Sequence, residues 1–277
     1  MIVASAVNPI DAFVRSGGGA QLTANREQWG LGWDVAGTVD AIGPGVEGFS
    51  VGDRVIGIND LLDVSLGTQA EYVVLDVGNV ASAPKSVDSI AAATIPLNGL
   101  TALQALGPLA LEAGDTLLVT GAAGGLGGYI VQLAAHRGIK VIAVAGSADE
   151  QTVRELGAAE FVARGSDVSA SVRALIPGGV DAAVDPALLG PAALAAVRGG
   201  CRFAAVIGGF EPAPLRGTTV HLVQIRADQE QLTELSGLVD DGVLTLRVAE
   251  TYPLEQLGNA HKRLAGGGIR GRLVVTV

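Results

Sequence analysis

The ten residues Val119-Thr-Gly-Ala-Ala-Gly-Gly-Leu-Gly-Gly128 constrain this chain more than any other stretch. They end the apolar run DTLLVTG, which suits a buried strand, and open GLGGYIVQLAAHRG, which suits a helix. Glycines at a strand-to-helix bend permit a tight turn. They also let backbone amides approach an anion held at the helix N-terminus, such as a dinucleotide's diphosphate. The spacing is Gly121-x-x-Gly124-x-x-Gly127 rather than the usual G-x-G-x-x-G. The alternative is a glycine turn packed tightly for steric reasons alone. The flanking sequence favours the ligand: IKVIAVA, EFVA, DAAVDPA and CRFAAVIGG read as further strands with helical stretches such as ADEQTVRELG between them. Alternation of this kind implies an α/β unit, a Rossmann-type doubly wound parallel sheet with helices on both faces.

The same residues satisfy T-G-x-x-x-G-x-G through Thr120, Gly121, Gly125 and Gly127, the loop of short-chain dehydrogenases. That reading requires a Tyr-x-x-x-Lys pair. Tyr72 is followed at that spacing by Asp76, Tyr129 by Leu133 and Tyr252 by Gln256, so the reading fails.

Composition narrows the partners. A net charge of −10 disfavours nucleic acid and anionic membranes, and 4% aromatic residues offer no base-stacking platform. The lone Cys201 excludes an intrachain disulfide and any multi-cysteine metal site. The opening MIVASAVNPID lacks a basic n-region and a cleavage site, which leads us to expect a cytoplasmic protein. Ser89–Leu111 is free of charge, but Pro96, Asn98, Gly99, Gly107 and Pro108 make it buried helix and turn rather than a membrane span. Before it, VAGTVDAIG, VGDRVIGI and AEYVVLD predict short strands of a separate β unit. After the α/β region, TTVHLVQI and GRLVVTV predict strands, and QEQLTELSGLVDD and LEQLGNAHKRLA predict helices.

The end of the second parallel strand bears on which nucleotide binds. An NAD site usually carries an acid there for the ribose hydroxyls. This strand ends Ala145-Gly146-Ser147 with no acid at its tip. Ser147 leaves room for a 2′-phosphate, and Arg164, just after the next strand, supplies charge unless it is merely solvated. NADPH is therefore expected over NADH, against the negative field of Asp149 and Glu150. Ser147-x-x-Glu150 also reads as a capping box.

Several short motifs in fixed order now form a pattern. Ala6-Val-Asn-Pro-Ile-Asp11, Gly32-Trp-Asp-Val-Ala-Gly-Thr-Val39, Val51-Gly-Asp-Arg-Val55, Asn98-Gly-Leu-Thr-Ala102, the Gly121–Gly127 loop and Gly271-Arg-Leu-Val-Val275 run through almost the whole chain. The sequence resembles the medium-chain dehydrogenase/reductase superfamily, in its zinc-free quinone oxidoreductase-like branch. The resemblance implies a GroES-like, mainly-β catalytic domain formed by residues 1–97, then a Rossmann domain over 98–218. Residues 219–277 return to the sheet edge and the catalytic domain. It also implies a longer front than this sequence has; without those first strands, the β unit is expected to show an unpaired edge. Zinc-bearing members hold their metal with cysteines, a histidine and often a glutamate. Here Asn8, Trp33 and Asp34 stand at such positions, a poor zinc set, so no metal is expected. Trp33 is expected to fill the volume instead.

By the same resemblance the cofactor lies in a cleft between the domains, held by Thr101, Gly121, Ala122, Ala123, Gly124, Gly125, Leu126, Gly127, Ser147, Arg164, Ile207, Gly208 and Arg272. Asn8, Asp11 and Thr101 are the catalytic candidates. Asn8 would donate its amide to a substrate carbonyl, or simply form an Asn-Pro turn, and Asp11 would brace that turn. Thr101 would hold the nicotinamide ribose or cap a helix. Arg272 would reach the pyrophosphate or ribose, or be solvated. The expected activity is hydride transfer from NADPH to a small-molecule electron acceptor: a quinone or other activated carbonyl or alkene. An enoyl or enone reductase and a catalytically silent NADPH-binding sensor remain alternatives. Pocket residues are expected in the loops Ser16–Gly32 and Asn59–Thr68. The resemblance also implies a homodimer that pairs an edge strand across a two-fold axis, for which TTVHLVQI is the candidate.

Overall fold

The computed structural model describes residues 1–18, 28–62 and 65–277. The parts of the two expected pocket loops at 19–27 and 63–64 lie outside the described residues. The chain opens with β1 (Ile2–Val7), α1 (Pro9–Arg15), β2 (Asp34–Thr38), β3 (Arg54–Ile58) and β4 (Val80–Ser82). Next come α2 (Ser89–Ala92), α3 (Pro96–Leu106), β5 (Thr116–Thr120), α4 (Gly125–His136), β6 (Lys140–Ala145) and α5 (Glu150–Glu155). β7 (Glu160–Ala163), α6 (Val168–Leu175), β8 (Val180–Asp185), α7 (Pro191–Leu194), β9 (Val197–Ala205) and β10 (Thr219–Leu222) follow. The tail is α8 (Gln229–Asp240), β11 (Val248–Pro253), α9 (Leu257–Ala265) and β12 (Arg272–Thr276). Two compact units result: Met1–Leu100 with Arg226–Val277, and Thr101–Ile225.

In the continuous unit the sheet order is β10-β9-β8-β5-β6-β7, every pair parallel. This is the doubly wound order in which the strand sequence reverses between β5 and β8. Central strands of such a sheet are covered on both faces, so they must be apolar throughout. Leu118, Ile142, Val144, Ala183 and Phe203 accordingly share one buried cluster. Helix α4 is buried from Gly127 to Ala134, which explains why its sequence is apolar around most of its circumference.

The other unit carries a six-stranded sheet ordered β11-β12-β1-β2-β3-β4. The unpaired edge expected near the front is not found at β1. That strand is interior, antiparallel to β12 through Ala4↔Thr276 to Val7↔Leu273 on one side and to β2 on the other. The C-terminal strand supplies the partner that the sequence reading left vacant. AEYVVLD also differs from expectation and forms no strand. Val74 is 96% exposed, and Glu71 O accepts from Ile2 N, but no ladder runs on from there. Its place at the sheet edge is taken by β4, bonded to β3. Strand β11 was not anticipated; it lies parallel to β12, with α9 as the crossover between them. The uncharged Ser89–Leu111 stretch resolves into α2, α3 and a 3-10 turn at Gly107–Leu109. Among the described residues no helix is long and apolar enough to cross a membrane.

Candidate active site

Two constellations, one in each unit, carry the chemistry-bearing residues. In the α/β unit, β5 ends at Thr120 and the chain bends at Gly121, whose φ of +58 is the left-handed region. The bend is closed by Gly124 N donating to Gly121 O (2.9 Å) and by Ala122 N donating to Val144 O (3.1 Å). Ala122 and Ala123 bury their methyls, while Gly121, Gly124, Gly125 and Leu126 stay partly exposed. The N-cap of α4 is Gly124, which has no side chain of its own to cap the helix. Gly127 is sterically obligatory: a Cβ there would lie 2.2 Å from Gly121 O and 2.8 Å from Ala122 Cα. The turn thus presents backbone, at the end of a parallel strand beside the point where strand order reverses. A dinucleotide diphosphate requires that arrangement, and the turn fits it.

At the tip of β6 the structure corrects the acid-free reading. Asp149 turns its carboxylate back, so that a Cβ on Gly146 would meet Asp149 Oδ2 at 2.9 Å and Arg164 Nη2 at 3.7 Å. The carboxylate and guanidinium therefore share this corner. Ser147 begins a 3-10 turn and caps nothing, because α5 starts only at Glu150 and has no side-chain cap. Ile207 and Gly208 follow β9 on an exposed bend. Thr101 sits within α3, which rules out its alternative role as a helix cap.

The second constellation gathers Asn8, Asp11, Asp34, Asn98 and Arg272, all buried. Asn8 sits between β1 and α1 with none of its surface exposed. Its Nδ2 donates to Ala6 O (3.2 Å) and Asp34 Oδ2 (2.8 Å), and its Oδ1 accepts from Arg272 Nη2. Every polar atom of the amide is engaged, so the expected donation to a substrate carbonyl is not available from Asn8. Arg272 is likewise neither solvated nor free to reach a cofactor. Its guanidinium also donates to Val7 O (3.2 Å), lies 3.8 Å from Asp34 Oδ2, and meets the Asn98 amide oxygen at 2.9 and 3.2 Å, the amide being oriented by its hydrogen-bond surroundings. Asp34 Oδ1 accepts from Leu97 N (2.6 Å). Burial pushes the Asp34 carboxyl up, opposed chiefly by the charge of Arg272.

Asp11 braces the α1 turn. It accepts from Asn8 N (2.8 Å), Gly32 N (3.0 Å) and Gln69 Nε2 (3.2 Å). Burial nonetheless raises its carboxyl from an ordinary 3.8 to about 7. Gln69 Oε1 lies 3.4 Å from His261 Nε2, and burial, aided by Arg15, holds that imidazole below its usual range. Trp33 is buried beside Asp34 in sequence, as a space-filling role requires. Among the described residues, no group of three or more His, Cys, Asp or Glu side chains is placed to hold a metal ion.

Thr120 and Asp185, the last residues of β5 and β8, have side chains hydrogen-bonded to each other; sequence reasoning gave Thr120 a place only in the glycine-loop motif and gave Asp185 none. The available signal was polar residues bracketing apolar strand interiors at equal spacing: Thr116 and Thr120, Asp181 and Asp185.

Comparison with known proteins accords with both units. Residues 1–85 match the alcohol dehydrogenase GroES-like domain, and residues 156–275 match the family described as zinc-binding dehydrogenase. A solved NAD-dependent alcohol dehydrogenase superposes with a TM-score of 0.88 at 31% identity, covering 100% of this chain and 90% of that one. A mycobacterial protein complexed with NADPH gives 0.83 at 29%, again covering 100% and 90%. The chain belongs to the medium-chain dehydrogenase/reductase superfamily, in its quinone oxidoreductase-like branch. Among curated relatives, the tomato (Solanum lycopersicum) 2-methylene-furan-3-one reductase is 28% identical over 99% of this chain and 70% of its own length. The Arabidopsis thaliana chloroplast envelope quinone oxidoreductase homolog is 35% identical over 57% of this chain and 50% of its own. A Streptomyces orinoci polyketide synthase protein, NorB, is 33% identical over 91% of this chain, which spans only 12% of that protein.

Proposed function

We propose that this chain is an NAD(P)H-dependent oxidoreductase that reduces a quinone or another activated carbonyl or alkene, without zinc. The observation that carries the reading is the glycine-rich turn from Gly121 to Gly127, which buries its two alanine methyls and closes around a glycine whose Cβ has no space. Bound there, the nicotinamide cofactor would supply a hydride. The chain's own part is to receive the diphosphate on backbone amides and to orient the reduced ring. Zinc independence is supported by the donor set. Asn8 and Asp34 have their oxygens engaged by Arg272, Asn8 and Leu97, and Trp33 offers no ligand atom. A guanidinium thus neutralises the carboxylate that a metal would require. Hydride transfer here needs no metal, and an acceptor that stabilises incoming charge with its own carbonyls fits best.

NADPH as the preferred cofactor is supported by Arg164 at the tip of β6 and by the NADPH-bound relative. Alkene reduction is the second reading, favoured by the tomato reductase, which aligns over nearly the whole chain. A homodimer is supported by β10, which among the described residues pairs only with β9 and lies at the sheet edge, with Ile207, Phe210 and Leu222 exposed on the same unit. Light scattering that returned a monomer would remove it. The test of function is calorimetry with NADPH and NADH, followed by oxidation of the bound form with quinones and enones in parallel. Tight nucleotide binding and turnover of one acceptor class are expected. Absence of heat with both nucleotides refutes the reading, and binding without turnover selects the silent sensor.

A further inference from the structure

We infer that Asp185 and Thr120 form a lock that positions the glycine turn, making them positioning residues for the cofactor rather than ordinary core polar groups. The inference rests on the dinucleotide reading above. Both are buried, Thr120 completely and Asp185 to 3% exposure. Thr120 Oγ1 donates to Asp185 Oδ1 and accepts from Ala187 N (3.0 Å). The same carboxylate accepts from Leu189 N (3.1 Å) and Gly190 N (2.7 Å). One side chain thus ties the end of β5 to the whole connection that follows β8. That connection is strained: Leu188 has φ +56 without being glycine, a conformation that surrounding bonds must hold. It also bears directly on the turn, since a Cβ on Gly121 would meet Ala187 Cβ at 3.3 Å. β5 and β8 are the neighbours between which strand order reverses, so the lock joins the two walls of the crevice where doubly wound sheets bind their ligands.

The molecule contains its own control. At the opposite ends of the same two strands, Thr116 Oγ1 donates to Asp181 Oδ2 (2.7 Å) and accepts from Asp181 N (3.1 Å). The chemistry matches, but that pair sits at the N-terminal edge, remote from any ligand of such a sheet. If a Thr–Asp pair merely clamps strands, both should behave alike. If the upper pair positions the turn, only it should matter to the nucleotide.

The experiment measures NADPH affinity by calorimetry for the wild type, Thr120→Val, Thr120→Ser and Thr116→Val, with thermal melts to establish folding. We expect Thr120→Val to weaken binding by at least about tenfold, Thr120→Ser to restore it, and Thr116→Val to stay within about twofold of wild type. Should Thr120→Val not fold, Asp185→Asn keeps the shape while reversing one acceptor, and the same weakening is expected. A folded Thr120→Val or Asp185→Asn binding as wild type overturns the inference, as does equal weakening in Thr116→Val. A wild type that binds neither NADPH nor NADH overturns the dinucleotide reading itself, which separates the two failures.

Discussion

Gly127→Ala is the most searching single perturbation, because the structure fixes its size. The new methyl carbon would stand 2.2 Å from Gly121 O and 2.8 Å from both Gly121 C and Ala122 Cα. All of these are backbone atoms, so no side chain can swing aside. Restoring contact distances near 3.5 Å requires the turn or the first coil of α4 to shift by about 1 Å. Overpacking of this kind costs about 1–3 kcal/mol of stability, which a domain of this size survives. Its consequence for the ligand is larger. A misplacement of about 1 Å in a positioning element costs on the order of 100-fold. In affinity that is about 2.7 kcal/mol. Calorimetry with NADPH on wild type and variant, with melting curves to confirm that both are folded, reads the effect. A folded Gly127→Ala that binds NADPH within about twofold of wild type would refute the argument that this turn is the diphosphate cradle.

Gly237→Ala supplies the opposite expectation: this glycine lies in the middle of α8 with nothing within 4 Å of a Cβ, so the variant should gain up to about 1 kcal/mol in urea unfolding. Arg272→Met removes the cation beside Asp34 and should cost about 3–5 kcal/mol; a loss under about 1 kcal/mol would show that the cluster is not charge-balanced as described. Asp11 makes stability pH-dependent. The folded state keeps a proton up to about 7 that the unfolded chain has released above 3.8, so this group's contribution is full at the acid end and is lost as pH rises through that interval. The full span corresponds to roughly 4 kcal/mol, and Asp11→Asn should flatten the slope in denaturant titrations taken across it; parallel slopes would contradict the assignment. Asp149→Asn, by removing the carboxylate beside Arg164, should shift the ratio of NADPH to NADH affinity towards NADPH by about tenfold, and an unchanged ratio would take Arg164 out of cofactor selection.

The parallel sheet was legible because its signals are local. TLLVT, KVIAVA and DAAVD are apolar runs set at regular intervals by helices, and the glycine turn marks where the first of them ends. The β unit was less so. VAETYP alternates half-buried with exposed residues, but its composition does not alternate apolar with polar, and its identity as β11 depends on β12, which is made only after α9. AEYVVLD has the composition of a strand, yet strand formation needs a partner ladder, and composition cannot report one. The side-chain roles of Asn8 and Arg272 were hidden for the same reason. They lie 264 residues apart in sequence and meet across β1 and β12, so neither a turn former nor a C-terminal arginine announces the other. Asp149 was misplaced by counting along the strand: three residues beyond Gly146, it folds back over it.

The pairing of β1 with β12 also bears on how the molecule is made. Ala4 to Val7 find their register only against residues 273–276, and Val277 N donates to Val3 O (3.1 Å). On the ribosome the α/β unit, continuous from Thr101 to Ile225, emerges whole and is free to fold while the opening strand still waits. The β unit closes only after β12 has been synthesised. Without β12, β1 would be bare on one side, an apolar strand open to any chain nearby.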